Sequence, residues 1–194
     1  MMRKIVSKEE EGKRKKTKQL VISGMLILIL VASVLGYSFS RDETTTDSSD
    51  KAIYKGYEFT KTAGVWYLTK GDYVFYFLYN PIETGNISST INLLSSYKNS
   101  PLYIYSEDDE ATSEIYRNLV YYNSVAQRMQ EACLQGENCS SSVPVKNCDN
   151  NFIIIRESNS TGIRQQNKCV FIEGSAENLT KLSDIFLFKI TGIQ

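Results

Sequence analysis

Residues 102–133 read LYIYSEDDEATSEIYRNLVYYNSVAQRMQEAC, and how that stretch divides decides the fold class. Its first four residues, Leu102 to Tyr105, have the apolar and aromatic composition of a strand. Behind them Ile115, Leu119, Tyr122, Ala126, Met129 and Cys133 recur at spacings of 4, 3, 4, 3 and 4, one apolar stripe of an α-helix. Ser106 with Asp109 three residues on, and Glu107, Asp108, Glu110 and Glu114, set acidic groups at the positive end of that helix. Carboxylates crowded into a first turn are ordinary helix stabilisation and are not read as a catalytic or calcium-binding pair. Gly136 is placed to end the helix. With FIIIRE (152–157) as the next strand, the sequence predicts a right-handed βαβ crossover with strands 102–105 and 152–157 parallel. The class is α+β, a mixed α/β domain.

Upstream, residues 57–61, 65–69 and 73–79 are rich in aromatic and β-branched residues and predict an antiparallel three-strand meander. Its loops are Thr62-Ala63-Gly64 and Lys70-Gly71-Asp72. The third run, YVFYFLY, is apolar on both faces, which predicts a central strand ended by Pro81. Residues 87–97 read as a short helix. Downstream, 162–166 and 169–173 (CVFIE) join FIIIRE in a second meander. A closing helix behind Ser175 puts Leu179, Leu182, Phe186, Ile190 and Ile193 on one side, with Gly192 near its end.

Further out lies the segment that places the protein. Residues 20–40, LVISGMLILILVASVLGYSFS, are 21 residues without a charge, a helix of roughly 31 Å that matches a bilayer's hydrocarbon thickness. The run exceeds the apolar core of a signal peptide, so Val34-Leu35-Gly36 is not taken as a cleavage site and the segment reads as an uncleaved anchor. Ala32 and Gly36 form a small-xxx-small spacing that suits helix approach. The chain's 22 basic and 22 acidic residues cancel only on average. Residues 1–19 hold eight basic and three acidic side chains, a charge of +5, and the rest carries −5. Lys13, Arg14, Lys15, Lys16 and Lys18 flank one end, so the amino terminus is assigned to the cytoplasm and the remainder to the outside of the cell membrane. The expected organisation is a basic cytoplasmic tail (1–19), a transmembrane helix (20–40), a polar stalk (41–51) and an extracytoplasmic domain (52–194). The basic run has no interleaved aromatics, so it is topogenic and no nucleic-acid partner is expected.

The four cysteines, Cys133, Cys139, Cys148 and Cys169, all fall in the external part, where disulfides form. In a meander of the last three strands the first and third begin at the same end, which brings Cys148 to Cys169 and leaves Cys133 for Cys139. Asn86, Asn138, Asn159 and Asn178 head N-glycosylation sequons, all on the side assigned to the outside. Without histidine there is no zinc or Ser-His-Asp chemistry, and no phosphate loop, dinucleotide fingerprint or nucleophile elbow is present. Asn147, Asp149 and Asn151 have calcium-loop spacing, but Phe152 and Ser158 stand where glycine and glutamate belong, so a turn is expected. No catalytic residue, cofactor or metal is assigned. The 13 tyrosines read first as core and strand filler, and second as a stacking face.

The basic anchor, the four external cysteines, NKCVFIEG (167–174) and the closing KITGI (189–193) resemble a group of uncharacterised single-pass membrane proteins of archaea. The resemblance implies an archaeal layout and carries no activity with it. The expected function is a membrane-anchored extracytoplasmic interaction or assembly module. The alternatives are a membrane-anchored histidine-free hydrolase and a surface ligand-binding domain.

Overall fold

The computed structural model describes residues 19, 21–31, 47, 48 and 50–194. The chain divides into two units, Met1–Thr44 and Thr45–Gln194. In the first, residues 21–31 form helix α1, whose side chains are all exposed. No helix among the described residues is long and apolar enough to cross a membrane. Positions 20 and 32–40 of the predicted span lie outside the described residues, as do the basic tail before residue 19 and most of the stalk.

The second unit is α+β. Five strands, β1 (Asp47–Ser48), β2 (Lys51–Tyr54), β3 (Tyr57–Thr62), β4 (Val65–Lys70) and β5 (Tyr73–Phe77), form an antiparallel meander in sequence order. Pairing thus reaches back to Asp47, inside the segment read as stalk. The turns are shorter than the expected three residues. Tyr54 pairs with Tyr57 and Thr62 with Val65, so only Lys55-Gly56 and Ala63-Gly64 turn the chain, each with positive φ at both positions. Those are the mirror-image turns whose twist matches that of the strands they join.

Beyond β5, Asn80 caps the short helix α2 (Pro81–Thr84). Its side-chain oxygen accepts from Ile82 N and Glu83 N, and Glu83 returns a bond to the Asn80 amide. The helix expected over 87–97 is reduced to a 3-10 turn at Leu94–Ser96.

The second sheet comprises β6 (Pro101–Ser106), β7 (Arg128–Glu131), β10 (Asn151–Glu157), β11 (Gly162–Gln166) and β12 (Cys169–Gly174), in the order β11-β12-β10-β6-β7. As expected, β6 and β10 are parallel neighbours. Two expectations are corrected. First, the helix that starts this crossover, α3 (Asp109–Tyr116), runs on only through a π-helical turn at Arg117–Tyr121. The chain then extends into β7, parallel to β6. Ala126 is buried in a bend and Cys133 in a short strand, so the helical spacing ran on through a segment that is not helical. Gly136 accordingly sits in a later turn with φ of 96°. Second, the last three strands are not a meander: β10 and β12 are adjacent and parallel, and β11 lies outside them, antiparallel to β12. FIIIRE and CVFIE are nearly continuously buried, as central strands covered on both faces are, whereas GIRQQ alternates and takes the edge.

Helix α4 (Leu179–Ile190) lies between the two sheets, with eleven of its twelve residues buried rather than one stripe. Phe188 meets Phe59 and Phe77 of the first sheet at ring-centre distances of 5.9 and 4.5 Å. On its other side Leu182 packs so closely on β12 that a Cβ at Gly174 would stand 2.6 Å from Leu182 Cδ1. The second face of β10 and β12 is covered by the segment carrying β8 (Cys133–Leu134) and β9 (Val145–Lys146), where Ala132 and Leu134 pack with Tyr103, Phe152, Ile154 and Phe171.

Candidate functional site: a tyrosine groove over a buried acid pair

The π-helical turn concentrates the unusual features of the domain. Asp108, not Ser106, caps α3, accepting from Ala111 N at 2.6 Å, while Ser106 accepts from Asp108 N. Asp109 and Glu110 stay in the first turn as read, but Glu114 does not belong with them, because its side chain is fully buried. Tyr121, Tyr122, Asn123 and Ser124 then end the helix. They are weak helix formers, and Ser124 turns the backbone with φ of 48°.

What holds this ending is an unusual edge contact. Asn118 Oδ1 accepts from Tyr76 N at 2.7 Å and its Nδ2 donates to Tyr76 O at 2.6 Å. Asn123 does the same with Val74, 2.9 Å each way. Two side-chain amides therefore stand in for a neighbouring strand along β5. This corrects the reading of YVFYFLY as a central strand: β5 is the last strand of its sheet, and asparagines close its free edge. Its outward residues are apolar because rings cover them. Tyr76 packs on Tyr122 at 4.5 Å and nears Tyr67 at 6.4 Å.

That aromatic packing continues outward. Tyr122 meets Tyr121 edge-on at 4.8 Å, and Tyr121 lies 6.4 Å from Tyr116. Tyr116, Tyr121 and Tyr122 are 44%, 66% and 53% exposed, which sets them apart from strand filler. With Thr112, Ser113, Arg117 and Met129 they line an open groove of about 430 Å³. Among the described residues their hydroxyls make no hydrogen bond within the chain, so the groove offers apolar faces edged by donors that remain available.

Beneath the groove, Arg117 reaches inward, its Nη2 3.1 Å from Glu114 Oε1. Glu114 on α3 and Asp184 on α4 are both completely buried and within side-chain hydrogen-bonding reach of each other. Asp184 Oδ2 also accepts from Tyr79 N at 2.8 Å. Burial pushes the Glu114 carboxyl up to about 7, against a partial pull downward by Arg117. Burial, and then the charge of Glu114, hold Asp184 well above the usual carboxylate range. Two carboxyls with raised proton affinity suggest acid-base chemistry, but neither has any surface for a substrate to reach. The sequence reading took Glu114 for a helix-end acid and missed Asp184. A lone acid in the apolar run LSDIFLF, and a Glu one position before Ile115 on the buried stripe, were the available signals.

The residues singled out from sequence lie elsewhere and apart. Cys133 bonds Cys139 and Cys148 bonds Cys169, the expected pairs, with Cα separations of 5.7 and 4.9 Å. The parallel pairing of Phe152 with Cys169 brings Cys148 to its partner, so the two strand starts do lie together, as neighbours rather than across a middle strand. Asn86, Asn138 and Asn159 are exposed, whereas Asn178 is half-buried at the start of α4, donating to Ser175 Oγ at 2.8 Å. Asn159 borders a polar hollow of about 390 Å³ with Glu157, Ser158, Ser175 and Ala176. Asn147 and Asp149 bond each other and form a turn, with Asn147 Oδ1 accepting from Asp149 N. No group of side chains able to hold a metal occurs among the described residues.

Comparison of the chain with protein-family models, with curated proteins and with solved structures finds no match.

Proposed function

We propose that the protein is a single-pass, membrane-anchored module whose domain stands outside the cell membrane and docks a partner protein of a membrane assembly through the tyrosine groove. The observation that carries this reading is the exposure of Tyr116, Tyr121 and Tyr122 around one groove with Met129 and Arg117. Tyr, Met and Arg are the residues enriched where proteins bind one another, and rings that pack on each other lose little freedom when covered. The apolar, exposed side chains of α1 support lipid as its surroundings. The two disulfides support an oxidising compartment.

A ligand-binding domain is the second reading, favoured by the size of the groove, which falls within the range of small-molecule sites. Isolation of the intact protein from its native membranes under gentle detergent, beside Y121A/Y122A and a control at exposed Lys168 such as K168A, separates the readings. Docking predicts a protein that accompanies the parent and the control and is lost from Y121A/Y122A. Recovery of the same proteins with all three would contradict it, and a small molecule lost only from Y121A/Y122A would favour the second reading.

A further inference from the structure

Glu114 and Asp184 face one another from α3 and α4 with a single guanidinium beside them. Asp184 Oδ2 takes the Tyr79 amide, and Glu114 Oε1 has the Arg117 guanidinium at 3.1 Å as an ion pair. Among the described residues, Asp184 Oδ1 and Glu114 Oε2 are buried and accept no hydrogen bond. Two ionised carboxylates cannot satisfy one another, because both offer only lone pairs. One proton between them turns the contact into a donor and an acceptor. We infer that Glu114 and Asp184 form a proton-binding site, and that the proton latches α3 and its π-helical turn onto α4 and the edge of the first sheet.

Among the described residues no other cation or donor reaches the pair. On α3, Glu110 adds repulsion. From α4, the Thr180 hydroxyl is turned to Asp108 Oδ1 and Glu110 Oε2, at 3.3 and 3.5 Å. Lys181 reaches over the Tyr79 ring at 5.9 Å. Asn118 donates to the Glu114 carbonyl and to Tyr76, not to the carboxyl. From the residues after β5 comes the Tyr79 amide.

The sign of the pH dependence follows. An unfolded chain releases these protons near the ordinary carboxylate values, whereas burial in the folded domain raises Glu114 to about 7 and holds Asp184 well above the usual carboxylate range. Folding therefore takes up protons above the ordinary carboxylate range, and the stability they contribute is fully present at acid pH and declines as pH rises, through about 7 for the Glu114 proton. Because Arg117 and Tyr121 belong to the latched turn, the groove loosens with it. That last consequence rests on the docking role, while the proton site does not.

The test uses the full chain in detergent and needs no partner. Amide hydrogen exchange over residues 109–123, corrected for the intrinsic effect of pH, should report an opening equilibrium that increases on the order of a hundredfold from pH 5 to pH 8. In the double variant E114Q/D184N, which keeps neither carboxyl, the change should fall below about tenfold. The infrared carbonyl band of a protonated, buried carboxyl should be present in the parent at pH 6 and absent from the double variant. Opening that is independent of pH in the parent, or a parent spectrum without that band, would overturn the proposal even if the double variant does not fold. A partner that fails to bind while both signatures appear would count against the docking role alone.

Discussion

Asn118 shows how much one side chain can determine. Its amide makes both backbone bonds of Tyr76 and a third to the Glu114 carbonyl, and it has no contact with water. N118A leaves a buried N–H and C=O of Tyr76 unpaired, which costs about 1–3 kcal/mol each before relaxation. Urea unfolding of N118A should show a loss of at least about 2 kcal/mol, with N123A less affected because Asn123 is half-exposed. Equal and negligible losses would show that the edge is held by the rings instead. Nothing in the sequence around Asn118 announces this, since its value comes from a strand 42 residues away. The cysteine pairing was legible by contrast, because it needed only the two strand starts at one end of a sheet. Removing that link with C148A/C169A opens a loop of 21 residues and should cost about 3 kcal/mol. Thermal unfolding with and without reductant checks it, and an unchanged midpoint would show the staple to be redundant.

At the level of elements, what the sequence revealed depended on whether local chemistry or distant packing set the outcome. Three strands of the first sheet were legible because the glycine-bearing turns at Ala63-Gly64 and Gly71-Asp72 mark their ends within a few residues, whereas β1 and β2 were not read. The length of α3 was not, because apolar positions buried in a bend and a short strand happened to continue its period. Helix α4 was placed correctly but understood as one-sided. Its run Ile185 to Leu187 with Phe188 sets four consecutive apolar residues around one full turn, which a helix covered all round can carry and a one-sided helix does not need. Covering demands close approach, and Gly174 supplies it. G174A should destabilise the domain by about 1–3 kcal/mol through its clash with Leu182. Combining it with L182A should cost less than the sum of the two single losses, a coupling that denaturant titration of the four proteins would measure. Strict additivity would mean that the strand shifts freely and the approach is not needed.

For the whole molecule, the opening balance of +5 and −5 about an uncharged segment remains the basis of the proposed orientation. An outside domain exposes its sequons to glycosylation, and the fold separates them. Asn86, Asn138 and Asn159 are exposed, whereas Asn178 starts α4 with the hydroxyl-bearing Thr180 buried behind it. Glycopeptide mass spectrometry of protein from its native membranes should find glycan at the first three and none at Asn178. Glycan at Asn178 alone would contradict the surface so defined. The groove itself was beyond the reach of sequence, since 13 tyrosines spread along the chain do not say which are buried. Only the π-helical turn and the asparagine-sealed edge bring Tyr116, Tyr121 and Tyr122 out together. The claim that these rings dock a partner is tested most directly by a photo-crosslinking amino acid placed at Tyr121 in the intact, membrane-held protein, with the same group at exposed Lys168 as reference. The docking role predicts a discrete protein adduct from position 121 that is absent from position 168. Irradiation that yields no adduct at 121, or the same adducts at both positions, would contradict it.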